Sequence, residues 1–202
     1  MNLFFYDTET TGLPAFKDPS DAPHQPHIVQ FAGALVDGET FQTIASFDLI
    51  AKPDGWEIPD DIASIHGITT ERALAVGVPE AQIALLAYGL WRLAERRVAH
   101  NEQFDARIVR IACKRFLGES EAEAWKAGAA ECTARMSTPL CCLPPTEKMR
   151  ARGLTNYKTP KLSEAHEILI GEPLENAHTA LADADGCRRI YRYIKTTAAA
   201  AA

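Results

Sequence analysis

Phe5-Tyr6-Asp7-Thr8-Glu9-Thr10-Thr11-Gly12-Leu13 is the stretch on which the fold of this chain turns. Asp7 and Glu9 sit two apart in an apolar run rich in strand formers, and side chains at i and i+2 of a strand share a face. Two carboxylates therefore project side by side from a segment whose neighbours mark it for burial. Crowding like charges in a core is costly without compensation. A divalent metal, which takes hard oxygen ligands, supplies that compensation. The bland alternative is a solvated pair of acids at a frayed strand end.

Around this pair the chain reads first as a β-meander. Residues 3–8 are the expected first strand, ended by the turn chemistry of Gly12-Leu13-Pro14. Residues 15–26, with Pro19, Pro23 and Pro26, read as a loop. A second strand is expected over 27–36, a hairpin at Asp37-Gly38, and a third strand over 43–51 before the turn Pro53-Asp54-Gly55. The texture then changes. Short helices are expected at 59–65 and 70–76, flanking His66-Gly67-Ile68-Thr69, and a longer one at 79–95, where apolar residues recur at helical spacing. A short strand at 97–100 leads into helices reaching 117 and covering 120–130. Residues 131–137 read as a strand with a turn, 138–161 as a long proline-rich and basic loop, and 162–168 and 179–195 as helices. Three antiparallel strands followed by alternating strands and helices predict an α/β fold with a mixed sheet flanked by helices. Nothing repeats or divides the chain, so 1–197 reads as one domain, and the alanine run 198–202 as an appended, non-native tail.

Composition narrows the function classes. A chain of 202 residues, 47% hydrophobic, suits one globular domain with a sizeable core. No apolar run is long enough to span a bilayer, and Met1-Asn2-Leu3-Phe4-Phe5 lacks the charged start of a secretory signal. The five cysteines (Cys113, Cys132, Cys141, Cys142, Cys187) form no C-x-x-C pair, which argues against a structural zinc site and for a reducing, cytoplasmic setting. A net charge of −6 excludes a protein that coats duplex DNA nonspecifically, yet suits acids gathered in one metal site.

Two further segments supply acids. In His100-Asn101-Glu102-Gln103-Phe104-Asp105 a strand delivers His100-Asn101, and Asp105 falls in the next helix's first turn. An acid there also simply complements the helix dipole. In His178-Thr179-Ala180-Leu181-Ala182-Asp183-Ala184-Asp185 small residues surround Asp183, allowing its helix to approach the sheet. His178 precedes that helix on a flexible approach. The bland readings are a surface histidine and a solvated helix acid.

These three segments resemble, in order and spacing, the D-x-E-T-T-G, H-N-x-x-F-D and H-x-A-x-x-D-A motifs of the DnaQ-like 3′→5′ exonucleases. These form the histidine-containing (DEDDh) branch of the DEDD superfamily, which includes the proofreading subunits of bacterial replicative polymerases and ribonuclease T. His66-Gly67-Ile68-Thr69 and Ile28-Val29-Gln30-Phe31-Ala32 match further family landmarks, although many relatives have Glu at the position of Gln30. The resemblance covers roughly residues 3–194. It implies a ribonuclease H-like fold and two Mg²⁺ or Mn²⁺ ions held by Asp7, Glu9, Asp105 and Asp183. It also implies that His178 is the general base, a role suited to an imidazole titrating near neutral pH. Thr8, Thr10, His66, Asn101 and Phe104 are the expected substrate contacts, with plain core packing as the competing reading of Phe104.

The implied partner is the 3′ end of single-stranded nucleic acid, DNA favoured over RNA, with a polymerase or repair protein as a possible non-covalent associate and no membrane. The alternatives are an exoribonuclease of the same fold and an inactive nucleic-acid-binding module. Lys148, Arg150, Arg152, Lys158 and Lys161 make 138–161 basic, which suits steering of a phosphate backbone or an ordinary solvated loop. Cys141-Cys142 and the clamp-peptide-like run 82–86 read as packing rather than chemistry.

Overall fold

The computed structural model describes residues 1–200, so Ala201 and Ala202, the end of the suspected tail, lie outside it. Strand β1 (Asn2–Thr10) runs through the middle of the sheet. Leu3, Phe4, Phe5 and Tyr6 are all buried, and the alternation of the strand sends them to opposite faces. Phe4 and Tyr6 pack with Phe31, Ile83, Trp91, Ile108 and Trp125 on one side. Leu3 and Phe5 pack with Val36, Val98, Cys187 and Tyr191 on the other. A strand apolar on both faces belongs inside a sheet covered on both sides.

β1 pairs antiparallel with β2 (Ile28–Asp37), and β2 antiparallel with β3 (Thr43–Lys52), as the meander reading requires. Beyond β3 come α1 (Asp60–His66) and α2 (Thr70–Val76). The turn between them explains His66-Gly67-Ile68-Thr69. Gly67 closes α1 in the left-handed region at φ 73°, which glycine adopts without strain. The Thr69 side chain then accepts from the Arg72 N–H and caps α2.

The chain continues through β4 (Val78–Pro79), α3 (Glu80–Trp91), β5 (Arg96–Ala99), α4 (Glu102–Phe116), α5 (Glu119–Ala127) and β6 (Ala130–Cys132). It ends with α6 (Thr133–Cys141), α7 (Glu147–Ala151), α8 (Leu162–Ile170) and α9 (Ala180–Ala200). The sheet order is β4-β3-β2-β1-β5-β6, with β5 and β6 parallel to β1. Helices α3, α4 and α5 cover one face, and α9 covers the other. Ala180, Ala184, Cys187 and Tyr191 form the buried stripe of α9, spaced for one helical face. The expected mixed α/β sheet is the one found. Among the described residues no helix is long and apolar enough to cross a membrane.

Three local expectations are corrected. The helix expected over 79–95 stops at Trp91, and Val78–Pro79 adds a short parallel strand beside Ala51 and Lys52. The segment 131–137 is mostly helix α6 rather than strand. Its β-branched and thiol residues suit a strand, but Thr133, Ala134 and Ser137 are buried as a helical face. The Ser137 hydroxyl also turns back onto the Thr133 carbonyl, at 2.7 Å. The loop expected over 138–161 holds the end of α6 and the single turn of α7. In the run 82–86, Ile83 and Ala84 are core residues, whereas Leu85 and Leu86 are exposed, so the packing reading holds for only part of the run.

Candidate active site

Asp7 and Glu9 extend from the carboxyl end of β1 on the face that carries Leu3 and Phe5, which is the face covered by α9. Ala180 and Ala184 pack on Ala32 with almost no exposed surface, so the start of α9 approaches the sheet closely and carries Asp183 with it. The carboxylate oxygens of Asp7, Glu9 and Asp183 fall within 4.8 Å of one another. The Asp183 Oδ1 is buried and has no hydrogen-bond partner.

The electrostatics record this crowding. Burial first, then the charges of Asp105, Asp183 and Glu9, raise the Asp7 carboxyl well above the usual range. Burial, then Asp183 and Asp105, push Glu9 up to about 8. Burial also raises Asp183, opposed by the charge and the backbone amide of nearby His178. Three crowded acids whose ionisation is disfavoured by burial, and for Asp7 and Glu9 also by their acidic neighbours, include one orphaned buried oxygen. Hard oxygen donors in such a set fit a divalent cation.

Asp105 stands beside this trio rather than within it. It is 3% exposed in the first turn of α4, and its Oδ1 accepts from the Thr8 N–H at 3.0 Å and the Thr8 hydroxyl at 2.8 Å. Burial pushes it up to about 7, while both Thr8 hydrogen bonds pull it down. Asn101 turns the chain from β5 into α4 with φ 65° and is exposed. His178 is exposed at φ 68°, two residues before α9. A non-glycine residue in that region carries strain, of a kind that collects at functional sites.

A cleft beside Glu9 gathers most of the expected substrate contacts. Thr8, Thr10, His66 and Phe104 line it together with Leu13, Ile62 and Ile65. Asn101 is not among these lining residues. The donors of the first motif are already engaged. The Thr8 amide and hydroxyl hold Asp105, the Thr10 hydroxyl donates to the Gly12 carbonyl at 2.8 Å, and the Thr11 amide donates to His27. His66 is 7% exposed and accepts the Ile68 N–H at Nδ1. Its proton therefore sits on Nε2, which is buried without a partner, and burial lowers its pKa. Phe104 is half-buried: it packs on the main core and also lines this cleft.

Two supports of the site act through contacts to distant residues that the motifs do not reveal. Gln30 lies directly across from Glu9 in the β1–β2 register. Its side-chain oxygen accepts the Ala180 N–H at 3.2 Å, and its amide donates to Asp48 at 2.8 Å. It thus ties the start of α9 to the sheet without adding a fifth negative charge beside Glu9. Beneath α4, Arg97 (5% exposed) and Glu102 (8% exposed) form a buried pair at 2.7 Å. Tyr6 donates to the same Glu102 oxygen at 3.2 Å, and the Arg97 guanidinium lies 4.5 Å from the centre of the Trp125 ring.

A sheet of this order, carrying clustered acids at the end of its central strand, is the ribonuclease H-like fold of exonucleases. The chain belongs to the exonuclease family: the family model RNase_T, described as Exonuclease, matches residues 4–191. Among solved structures it is similar to the zinc-bound complex of E. coli exonuclease I with single-stranded DNA, at 21% identity and a TM-score of 0.72 over 97% of this chain and 40% of that one. It is also similar to E. coli exonuclease I in complex with a dT13 oligonucleotide, at 22% identity and a TM-score of 0.75 over 96% of this chain and 41% of that one. The chain thus spans about two fifths of the length of the structures it matches. No curated protein sequence matches it significantly.

Proposed function

We propose that this chain is a metal-dependent 3′→5′ exonuclease that releases nucleoside 5′-monophosphates from single-stranded DNA. The observation that carries this reading is the meeting of Asp7, Glu9 and Asp183 within 4.8 Å around an unpartnered, buried carboxylate oxygen. Membership of the exonuclease family, and the single-stranded DNA bound by the similar E. coli enzyme, support it. The exonuclease unit is read as one domain over 1–197. The five cysteines are free, in keeping with a reducing cytoplasm.

Asp7, Glu9 and Asp183 would hold one divalent cation, Mg²⁺ or Mn²⁺, and Asp7 with Asp105 a second. When bound, such ions activate water and neutralise charge on the phosphodiester being broken. Thr8 holds Asp105 through two hydrogen bonds and so fixes the direction in which that carboxylate faces. His178 accepts the proton of the attacking water, and its exposed position next to α9 leaves the ring free to meet a substrate. Water attacks phosphorus and the bond to the preceding 3′ oxygen breaks. The terminal nucleotide leaves with its 5′-phosphate and the shortened strand ends in a 3′-hydroxyl. The apolar cleft of Leu13, Ile65 and Phe104 receives the terminal base, with His66 in its lining. A polymerase or repair partner would dock non-covalently, away from this cleft.

The test is a Mg²⁺-dependent digestion of 5′-labelled DNA and RNA oligonucleotides of the same sequence. A ladder shortening from the 3′ end of the DNA is expected. A ladder on RNA alone would make the enzyme an exoribonuclease. Binding without metal-dependent shortening of either strand would leave only a nucleic-acid-binding module.

A further inference from the structure

Residues 143–158 form a loop closed at its neck, where the Lys158 N–H donates to the Leu143 carbonyl at 2.9 Å. Compact surface loops with joined ends are often functional. Its neck is also fixed to the site. His100 Nε2 donates to the Pro160 carbonyl at 3.1 Å, and Thr133 bonds the other ring nitrogen at 3.0 Å. In the parallel register Phe5 is opposite Val98, and His100 directly follows β5, the strand next to the one that carries Asp7. The loop therefore rises one strand from the acids.

Its charge opposes that of the molecule. Lys148, Arg150, Arg152 and Lys158 face one acid, Glu147, in a chain of net charge −6. Lys158 is paired with Glu164. Lys148, Arg150 and Arg152 are exposed and form no ion pair among the described residues. Tyr157 is 48% exposed on the same loop. Unpaired cations and an exposed aromatic ring on one loop match a single strand, whose phosphates take the charge and whose bases stack.

We propose that the 143–158 loop binds the single-stranded DNA lying 5′ of the terminal nucleotide, with Lys148, Arg150 and Arg152 on its phosphates and Tyr157 under a base. This rests on the exonuclease reading for the placement of the 3′ end.

Fluorescence anisotropy of 5′-labelled dT15 and dT3 in EDTA tests it, since no hydrolysis is needed. For the triple variant K148A/R150A/R152A, dT15 affinity is expected to fall about tenfold or more, and the salt slope of binding to drop by about 2, at roughly 0.7 per lost contact. Affinity for dT3 should hold. K148R/R150K/R152K should restore dT15 binding, which separates charge from misfolding. Tyr157→Ala should weaken dT15 about tenfold with no change of slope. An unchanged dT15 affinity and slope in the triple alanine variant, or an equal loss on dT3 and dT15, would overturn the proposal. Wild-type protein that binds dT15 through this loop yet never shortens it with Mg²⁺ would defeat the exonuclease reading and leave the loop's role standing.

Discussion

Replacing Glu9 with glutamine isolates the energetic cost of assembling the acids. Burial, then Asp183 and Asp105, hold the Glu9 carboxyl at about 8 against an ordinary 4.5. A rise of that size corresponds to about 5 kcal/mol between protonation states. Glu9 is only partly buried, and solvent screening brings this to about 3 kcal/mol. Between about pH 4.5 and pH 8 the folded protein keeps a proton on Glu9 that the unfolded chain has lost. The unfolded state binds fewer protons there, so stability of the metal-free protein falls as pH rises through that window. Glutamine mimics the protonated acid and cannot ionise. In EDTA near pH 5, wild type and Glu9→Gln are therefore expected to be about equally stable, and near pH 8.5 the variant is expected to be more stable by about 3 kcal/mol. Urea denaturation followed by tryptophan fluorescence measures both. Mg²⁺ should reverse the order, because it stabilises only the folded state able to bind it. Parallel stability curves in EDTA, or equal stabilisation of both proteins by Mg²⁺, would refute the reasoning.

Thr8→Val removes one of two hydrogen bonds to the buried Asp105 carboxylate, so the pH at half-maximal Mg²⁺-dependent hydrolysis should move upward, at a stability cost of about 1.5–3 kcal/mol; a pH–rate profile checks it. Arg97→Met strands Glu102 in the core and should cost about 3–5 kcal/mol, whereas Arg97→Met with Glu102→Leu should recover most of that loss in the denaturant midpoint. His178→Asn should lower the single-turnover cleavage rate by about 10²–10⁴ while oligonucleotide affinity, read by anisotropy, holds.

Local pattern made the centre of the molecule legible. Alternation in β1 placed Asp7 and Glu9 on one face, and the small residues around Asp183 signalled the close approach of α9, which Ala180 and Ala184 provide. What local pattern could not carry were contacts between distant residues. Thr8 and Asp105 are 97 residues apart, Tyr6 and Glu102 are 96, and Gln30 and Ala180 are 150. The motif marks Thr8 as a substrate contact, and only the fold shows that its amide and hydroxyl hold Asp105. Gln30 looked like a neutral departure from the family, whereas it holds the helix that delivers Asp183. Helix α6 was obscured for a related reason. Burial of Thr133 and Ser137 on a helix that packs against α8 and α9 decides its conformation, and that burial outweighs intrinsic preference. The left-handed turn of Asn101 into α4 was likewise not legible in its motif.

The central claim is that the carboxylates meeting at the end of β1 catalyse removal of 3′-terminal nucleotides. The most direct measurement is the Mg²⁺-dependent single-turnover rate on a 5′-labelled single-stranded DNA, for wild type and for Asp7→Asn, with nucleotide products identified. Wild type should yield a ladder shortening from the 3′ end and nucleoside 5′-monophosphates, and Asp7→Asn should bind the strand and leave it intact. Degradation by Asp7→Asn at the wild-type rate would contradict the account.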